Sequence, residues 1–436
     1  MTMKTIRLSA DAVRPLRTLD PAAALDDLGW LDEAVGDARV VAIGESAHYN
    51  REFYELRHRL LRYLAERHGF AAYAMETGFA ESWAVDDWVR GGGGDLGWIL
   101  ANGITSLMGM WTPMRDQLEW MRRRHERAGF AFYGIDLPGS MVSPLPGLDA
   151  VLGYLAEADP ELRPGAAPRE TAAAFAGTSA FAAPQVMGAY AELAEEARDA
   201  YTAGLADLAA RLRARRREFQ ARTGPGTYGR AARTLETTIA LDLVVRALAR
   251  GDQETAMNER DAAIADTVGW ILEREERVVL AAHNGHVQRG PLALPGVPAM
   301  VPMGAHLAER LGDGYVAIGT TSGTGAILNT GPDFYTGTLF AELPPPEPGS
   351  LDALMDDSHD GPFAADLRRL SAADAAAVRA ARRHRGLADL YGEQDPLESF
   401  DLLVHLPRVT AAAPDPDAVA HAPEDVRRAF TAWLSR

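Results

Sequence analysis

The sequence predicts an α/β fold. A mostly parallel central sheet is flanked by helices, with a helical insertion or cap lobe and an active-site cleft at the carboxyl ends of the strands. Three observations predict it. Short apolar runs at 40–43, 71–75, 131–135 and 278–282 each end in polar residues, the pattern of strands buried on both faces. A strongly amphipathic segment, 51–67, lies between the first two and makes a strand–helix–strand unit. The stretch 147–274 is rich in Ala, Leu, Arg and Glu at helical spacing. The chain therefore divides into a first core part (1–146), a helical lobe (147–274) and a second core part (275–436). Two later strands are expected at 315–318 and 401–406. The Gly91–Asp95 loop GGGGD has no phosphate-loop Lys, LPPPEPGS (343–350) is a stiff connector, and AAAFAGTSAFAAPQ (172–185) is irregular.

Composition narrows the function. The 436 residues carry a formal charge of −17 and no cysteine. That excludes disulfides, a Cys nucleophile and thiolate metal sites, and makes a general nucleic-acid binder a poor fit. The N-terminal MTMKTIRLSADAVRPL has no long apolar core, and no apolar run is long enough to span a bilayer. A cytoplasmic enzyme with a small-molecule substrate, without nucleic-acid or membrane partners, is expected. Oligomeric state is not readable.

The chemistry gathers at the strand ends. The first run leads into Gly44-Glu45-Ser46-Ala47-His48, the second into Glu76, the third into Asp136 and the fourth into His283-Asn284-Gly285-His286. In open α/β sheets these ends share one rim. On the helix 51–67, at about 100° per residue, Arg57 falls within the apolar stripe of Phe53, Leu56, Leu60, Leu61 and Leu64. A buried Arg needs a carboxylate, so Arg57 pairs with Glu45 or Glu76, or else snorkels along the stripe edge. His58 falls at about 140° from Phe53 and reads as a surface residue. Asp261, on the apolar face of 257–272, orients a His or Arg, or pairs locally with Arg260.

GESAH resembles the hydrolase elbow G-x-S-x-G, but His48 stands where the second Gly is required, so Ser46 reads as a turn hydroxyl. His283 and His286, three apart at a strand end beside a Gly, are weak metal ligands, and no metal or other cofactor is expected. What remains is acid–base chemistry: a His to take a proton from water, a carboxylate on its other nitrogen, and an Arg or second His to stabilise an oxyanion.

These residues carry a family resemblance. GESAHYNREFYELRHRLLRYLAERHGFAAYAMETG, AFYGIDLPG, MNERDAAIADTVGWIL, VVLAAHNGHV and SFDLLVHL resemble the erythromycin esterase family. The resemblance implies an α/β core with a helical lobe and hydrolysis of a macrolide or similar polyketide lactone, an antibiotic-resistance activity without a metal. Motif by motif it implies catalytic roles for Glu45, His48, Arg57, Glu76, His283 and His286, with His283 favoured over His48 as the base. Asp136, Tyr49 and Asn284 are expected to face the substrate. Tyr49 departs from the small residue usual in resistance enzymes, which leaves the substrate open. The alternative is a secondary-metabolism tailoring enzyme catalysing a cyclisation, elimination or transesterification on the same groups.

Overall fold

The computed structural model describes residues 6–435 apart from 163, 164, 166, 292, 295 and 297; the first five residues of the N-terminal stretch lie outside it. A nine-stranded mixed sheet runs through the molecule. Its strands are β1 (Arg14–Pro15), β2 (Val40–Glu45), β3 (Ala72–Gly78), β4 (Ala131–Asp136), β5 (Val278–His283), β6 (Tyr315–Leu328), β7 (Phe340–Leu343), β8 (Phe363–Asp366) and, after the small hairpin β9 (Arg383–Leu387) and β10 (Leu390–Glu393), β11 (Leu402–Val409). The spatial order is β1-β8-β11-β6-β2-β5-β3-β4, with β7 on β6. From β11 to β4 every neighbour is parallel; β1, β7 and β8 add antiparallel pairs at one side.

Alternate residues of each strand enter opposite cores, as the two-residue period of a strand requires. Val41, Ile43, Tyr73, Met75, Val279 and Ala281 pack on one face; Val40, Ala42, Ala72, Ala74, Val278 and Leu280 pack on the other. Both faces are covered, which is why these strands read as continuous apolar runs. The helix Arg51–Arg67 covers the first face, with Phe53, Leu56, Leu60, Leu61 and Leu64 buried. His58 is buried as well, contrary to the sequence reading. Helix Thr112–Ala128 packs on that side, and the Trp120 ring meets His58 edge-on at 5.7 Å. Burial there holds His58 neutral, its pKa lowered to about 3.

The lobe has its own core, built by Leu148, Val151, Leu205 and Leu241 among others. Its helices include Leu145–Ala158, Glu195–Ala214 and Pro225–Ala249. Helix Gln253–Leu272 belongs to both regions. Ala256 and Ala263 meet the lobe, whereas Ile264, Val268 and Ile271 lie against the sheet. The stretch 172–185 is more regular than expected: the helix Ala167–Phe175 runs into it, and Ala183–Glu192 leaves it. The described residues contain no helix long and apolar enough to cross a membrane.

Candidate active site

Parallel pairing of β2 with β5 sets Glu45 opposite His283 in register. The same sheet brings Glu76 on β3 and Asp136 at the end of β4 to this rim. Gly44 is required by the close approach of the next segment, since a Cβ there would overlap Asn284 Oδ1.

Glu45 is fully buried and works in two directions. Its Oε1 lies 2.7 Å from His48 Nδ1, and its Oε2 lies 3.0 Å from Arg57 Nη1, with both of these side chains completely inaccessible. The Arg57 contact is coulombic, because none of its nitrogens has hydrogen-bond geometry to a partner; its guanidinium also lies 4.9 Å over the Tyr54 ring. Of the two partners the helix offered Arg57, the structure selects Glu45. The His48 side chain remains 20% exposed. Burial opposes its charge, but the bond to Glu45 and the field of Glu76 outweigh this and raise its pKa.

His283 is arranged differently. Its Nδ1 accepts from the Gly285 N–H at 3.1 Å. Nε2 therefore carries the proton and donates to the Ser46 carbonyl at 3.2 Å. Burial, with the neighbouring His48, lowers its pKa to about 3. The rings of His48 and His283 meet edge to face, 5.4 Å apart.

A second charged net lies alongside. Glu76 Oε2 accepts the His283 backbone N–H at 2.8 Å. Its Oε1 faces Arg260 Nη2 at 3.2 Å and His286 Nε2 at 3.3 Å. Arg260 clamps Asp136 through Nε and Nη2 at 3.1 and 2.6 Å. His286 Nδ1 lies 2.8 Å from Asp261 Oδ1, so the residue that Asp261 orients is His286. Burial alone would lower the His286 pKa, but Asp261 and Glu76 raise it to about 10. Burial would raise that of Glu76, but His286, His48 and Arg260 hold it well below the usual carboxylate range. Among the described residues no group of three His, Asp or Glu is arranged to hold a metal ion.

Six sequence-predicted residues thus converge: Glu45, His48, Arg57, Glu76, His283 and His286. The three expected to face the substrate are each buried. Asp136 is 2% exposed and clamped by Arg260. Asn284 exchanges two hydrogen bonds with the Thr320 backbone, at 2.7 and 3.1 Å, and points into the fold. Tyr49 is 4% exposed, stacks on Trp111, and donates its hydroxyl to the Ser106 carbonyl at 2.7 Å. Ser46 is buried with its Oγ unpartnered. Sequence reading offered Arg260 only as a local partner of Asp261 and missed its place at the rim, though a charge count gave the signal: two buried acids at neighbouring strand ends require a cation.

Backbone strain marks the same place. Tyr49, Ser106, Leu107, Ser140, Met141 and Ala388 are the non-glycine residues with positive φ among those described. Hydrogen bonds tie most of them to the rim: Tyr49 to Ser106, the Ser106 N–H to Ser140 Oγ, and the Ala388 N–H to the Ser46 carbonyl. Such strain persists where the surroundings over-determine it, commonly at functional sites.

Comparisons with known proteins point the same way. A family model described as erythromycin esterase matches residues 65–409, a stretch that holds Glu76, Asp136, Arg260, His283 and His286 and begins after Glu45, His48 and Arg57. An erythromycin esterase type II from Escherichia coli is 30% identical over 358 residues, 78% of this chain and 83% of that protein. A type I enzyme from Escherichia coli is 27% identical, over 68% of this chain and 74% of its own length. A mutant of the erythromycin esterase EreC in its open conformation shares the fold, with a TM-score of 0.77 at 22% identity, covering 92% of this chain and 98% of its own. A succinoglycan biosynthesis protein superposes with a TM-score of 0.74 at 21% identity, covering 92% and 96%; at such identities the likeness is one of fold. The chain belongs to the erythromycin esterase family.

Proposed function

We propose that the protein is an ester hydrolase that opens a macrolide or similar polyketide lactone with a water activated by His48. The observation that carries this reading is the Glu45–His48 pair: Nδ1 is bound to a buried carboxylate and the side chain keeps 20% of its surface exposed. Nε2 takes a proton from water as the oxygen attacks the lactone carbonyl. Glu45 fixes the tautomer and stabilises the imidazolium, and Arg57 faces its other oxygen. Arg260 and His286 pair with Glu76, Asp136 and Asp261 and so hold the second net in place beside the base. When the acyl C–O bond breaks, the imidazolium returns its proton to the leaving alkoxide, giving a hydroxy acid. His283, favoured from sequence, is assigned a positioning role, because both its ring nitrogens are engaged.

The reading calls on no metal, since imidazole supplies the base. The test is incubation of 14-membered macrolides with EDTA-treated protein in oxygen-18 water, followed by mass spectrometry. A product heavier by one labelled water, with the label in a new carboxylate, is expected. An unchanged substrate, or activity that returns only on metal addition, would sink the proposal.

A further inference from the structure

A cavity of about 190 Å³ opens where the core, the lobe and the C-terminal segment meet. Ile104 and Met110 line it from the core, Thr178 and Ala180 from the lobe, and Pro423 and Val426 from the end of the chain. It lies one residue layer from the proposed base. Ser106, in its wall, accepts the hydroxyl of Tyr49, whose ring lies 5.7 Å from that of His48.

The walls are apolar or carry neutral hydroxyl and amide groups, with one exception. Glu81 is the single ionisable residue among the described ones lining it. Its Oε1 accepts the Gly139 N–H at 2.6 Å, while Oε2 is buried without a hydrogen-bond partner. No Arg, Lys or His forms an ion pair with it among the described residues. The fold makes room for this carboxyl, because a Cβ on Gly78 would overlap it. Gly139, which binds its other oxygen, begins the strained turn that continues through Ser140 and Met141. Every other acid described at this rim has a basic partner: Glu45 has Arg57 and His48, Glu76 has Arg260 and His286, Asp136 has Arg260, and Asp261 has His286. A buried carboxyl without a cation is costly to keep. Its geometry suits a donor that arrives with the ligand.

We propose that this cavity is a substrate subsite and that Glu81 receives a protonated amine carried by the lactone, so that the enzyme selects cationic lactones over neutral ones. The inference rests on the hydrolase reading above but is tested separately from it. Two lactones are used that differ only in a tertiary amine and its neutral N-acyl counterpart. For the wild-type protein the amine is expected to have the lower KM. Glu81→Gln keeps the shape and removes the charge. It is expected to raise KM for the amine by about 10-fold or more, the worth of a charge-assisted hydrogen bond, while leaving kcat for both, and KM for the neutral lactone, within about 2-fold. A thermal melt checks folding. If neither lactone is hydrolysed, calorimetric binding of the same pair reads the same discrimination, so failure of the chemistry and failure of the subsite are told apart. Equal KM increases for both lactones, no increase for either, or no binding of either would overturn the subsite.

Discussion

Two neighbouring nets in this protein are built from the same parts and end in different states. Glu45, His48 and Arg57 form the first; Glu76, Asp136, Asp261, Arg260 and His286 form the second. In the first, one carboxylate contacts one Arg and one His, and burial opposes a rise in the His48 pKa that Glu45 and the field of Glu76 produce. In the second, three carboxylates face one Arg, so His286 must be protonated to approach balance, and between Asp261 and Glu76 its pKa rises to about 10. A His beside a carboxylate is therefore not a base by that fact alone. What decides is how many carboxylates it sees and whether a cation has already claimed them.

Mutations can break this comparison, in order of expected effect. His48→Ala should lower kcat by about 10²–10⁴-fold, the usual worth of a general base, with the thermal melt little changed. A loss smaller than about 10-fold would move the base elsewhere. Arg57→Ala strands a fully buried Glu45, and removing one member of a buried pair costs about 3–5 kcal/mol. Chemical denaturation should show that loss, and the acid limb of the kcat profile should shift along with it.

pH sharpens the contrast further. Both His48 and His286 have raised pKa values, so the stability each contributes is complete below its unfolded value and is lost as pH rises through its folded one. For His286 that window runs from about 6.5 to about 10. Tm should decline across it, and His286→Gln should flatten the decline. Activity has the opposite sign at His48: kcat should rise with pH as the imidazolium loses its proton, with its midpoint above 6.5. The smallest effect is expected at Ser46→Ala, with kcat within about 2-fold of wild type, because a turn hydroxyl takes no part in general-base catalysis. Abolished activity in a folded variant would restore a serine nucleophile.

The fold was legible where the sheet is buried on both faces, because there a strand is simply an apolar run. It was less legible at β6, fourteen residues long, whose middle, Thr321 to Gly325, is small and polar. The edge strand β1 and its neighbour β8, two and four residues long, are too short to show alternation. The rim of acids and histidines could be read because parallel strands bring their carboxyl ends together. The direction of each side chain could not. Asp136 is turned from solvent by an Arg 124 residues downstream. The two His283 nitrogens are engaged by the Gly285 amide and the Ser46 carbonyl, partners that are backbone atoms and leave no mark in composition.

The left-handed residues around the rim have a consequence for anyone evolving this enzyme. Each holds a side chain where glycine would sit more easily, at a cost of order 1–3 kcal/mol. Glycine at Met141 or Ala388 would relieve that torsion, yet it would also widen the unfolded ensemble, so the net gain is small by construction. What would change is stiffness: the turns that fix Ser140 against Ser106, and Ala388 against Ser46, would acquire alternatives. Selection for heat tolerance and selection for turnover should therefore diverge at these positions, and the rim is where a library would find that conflict first.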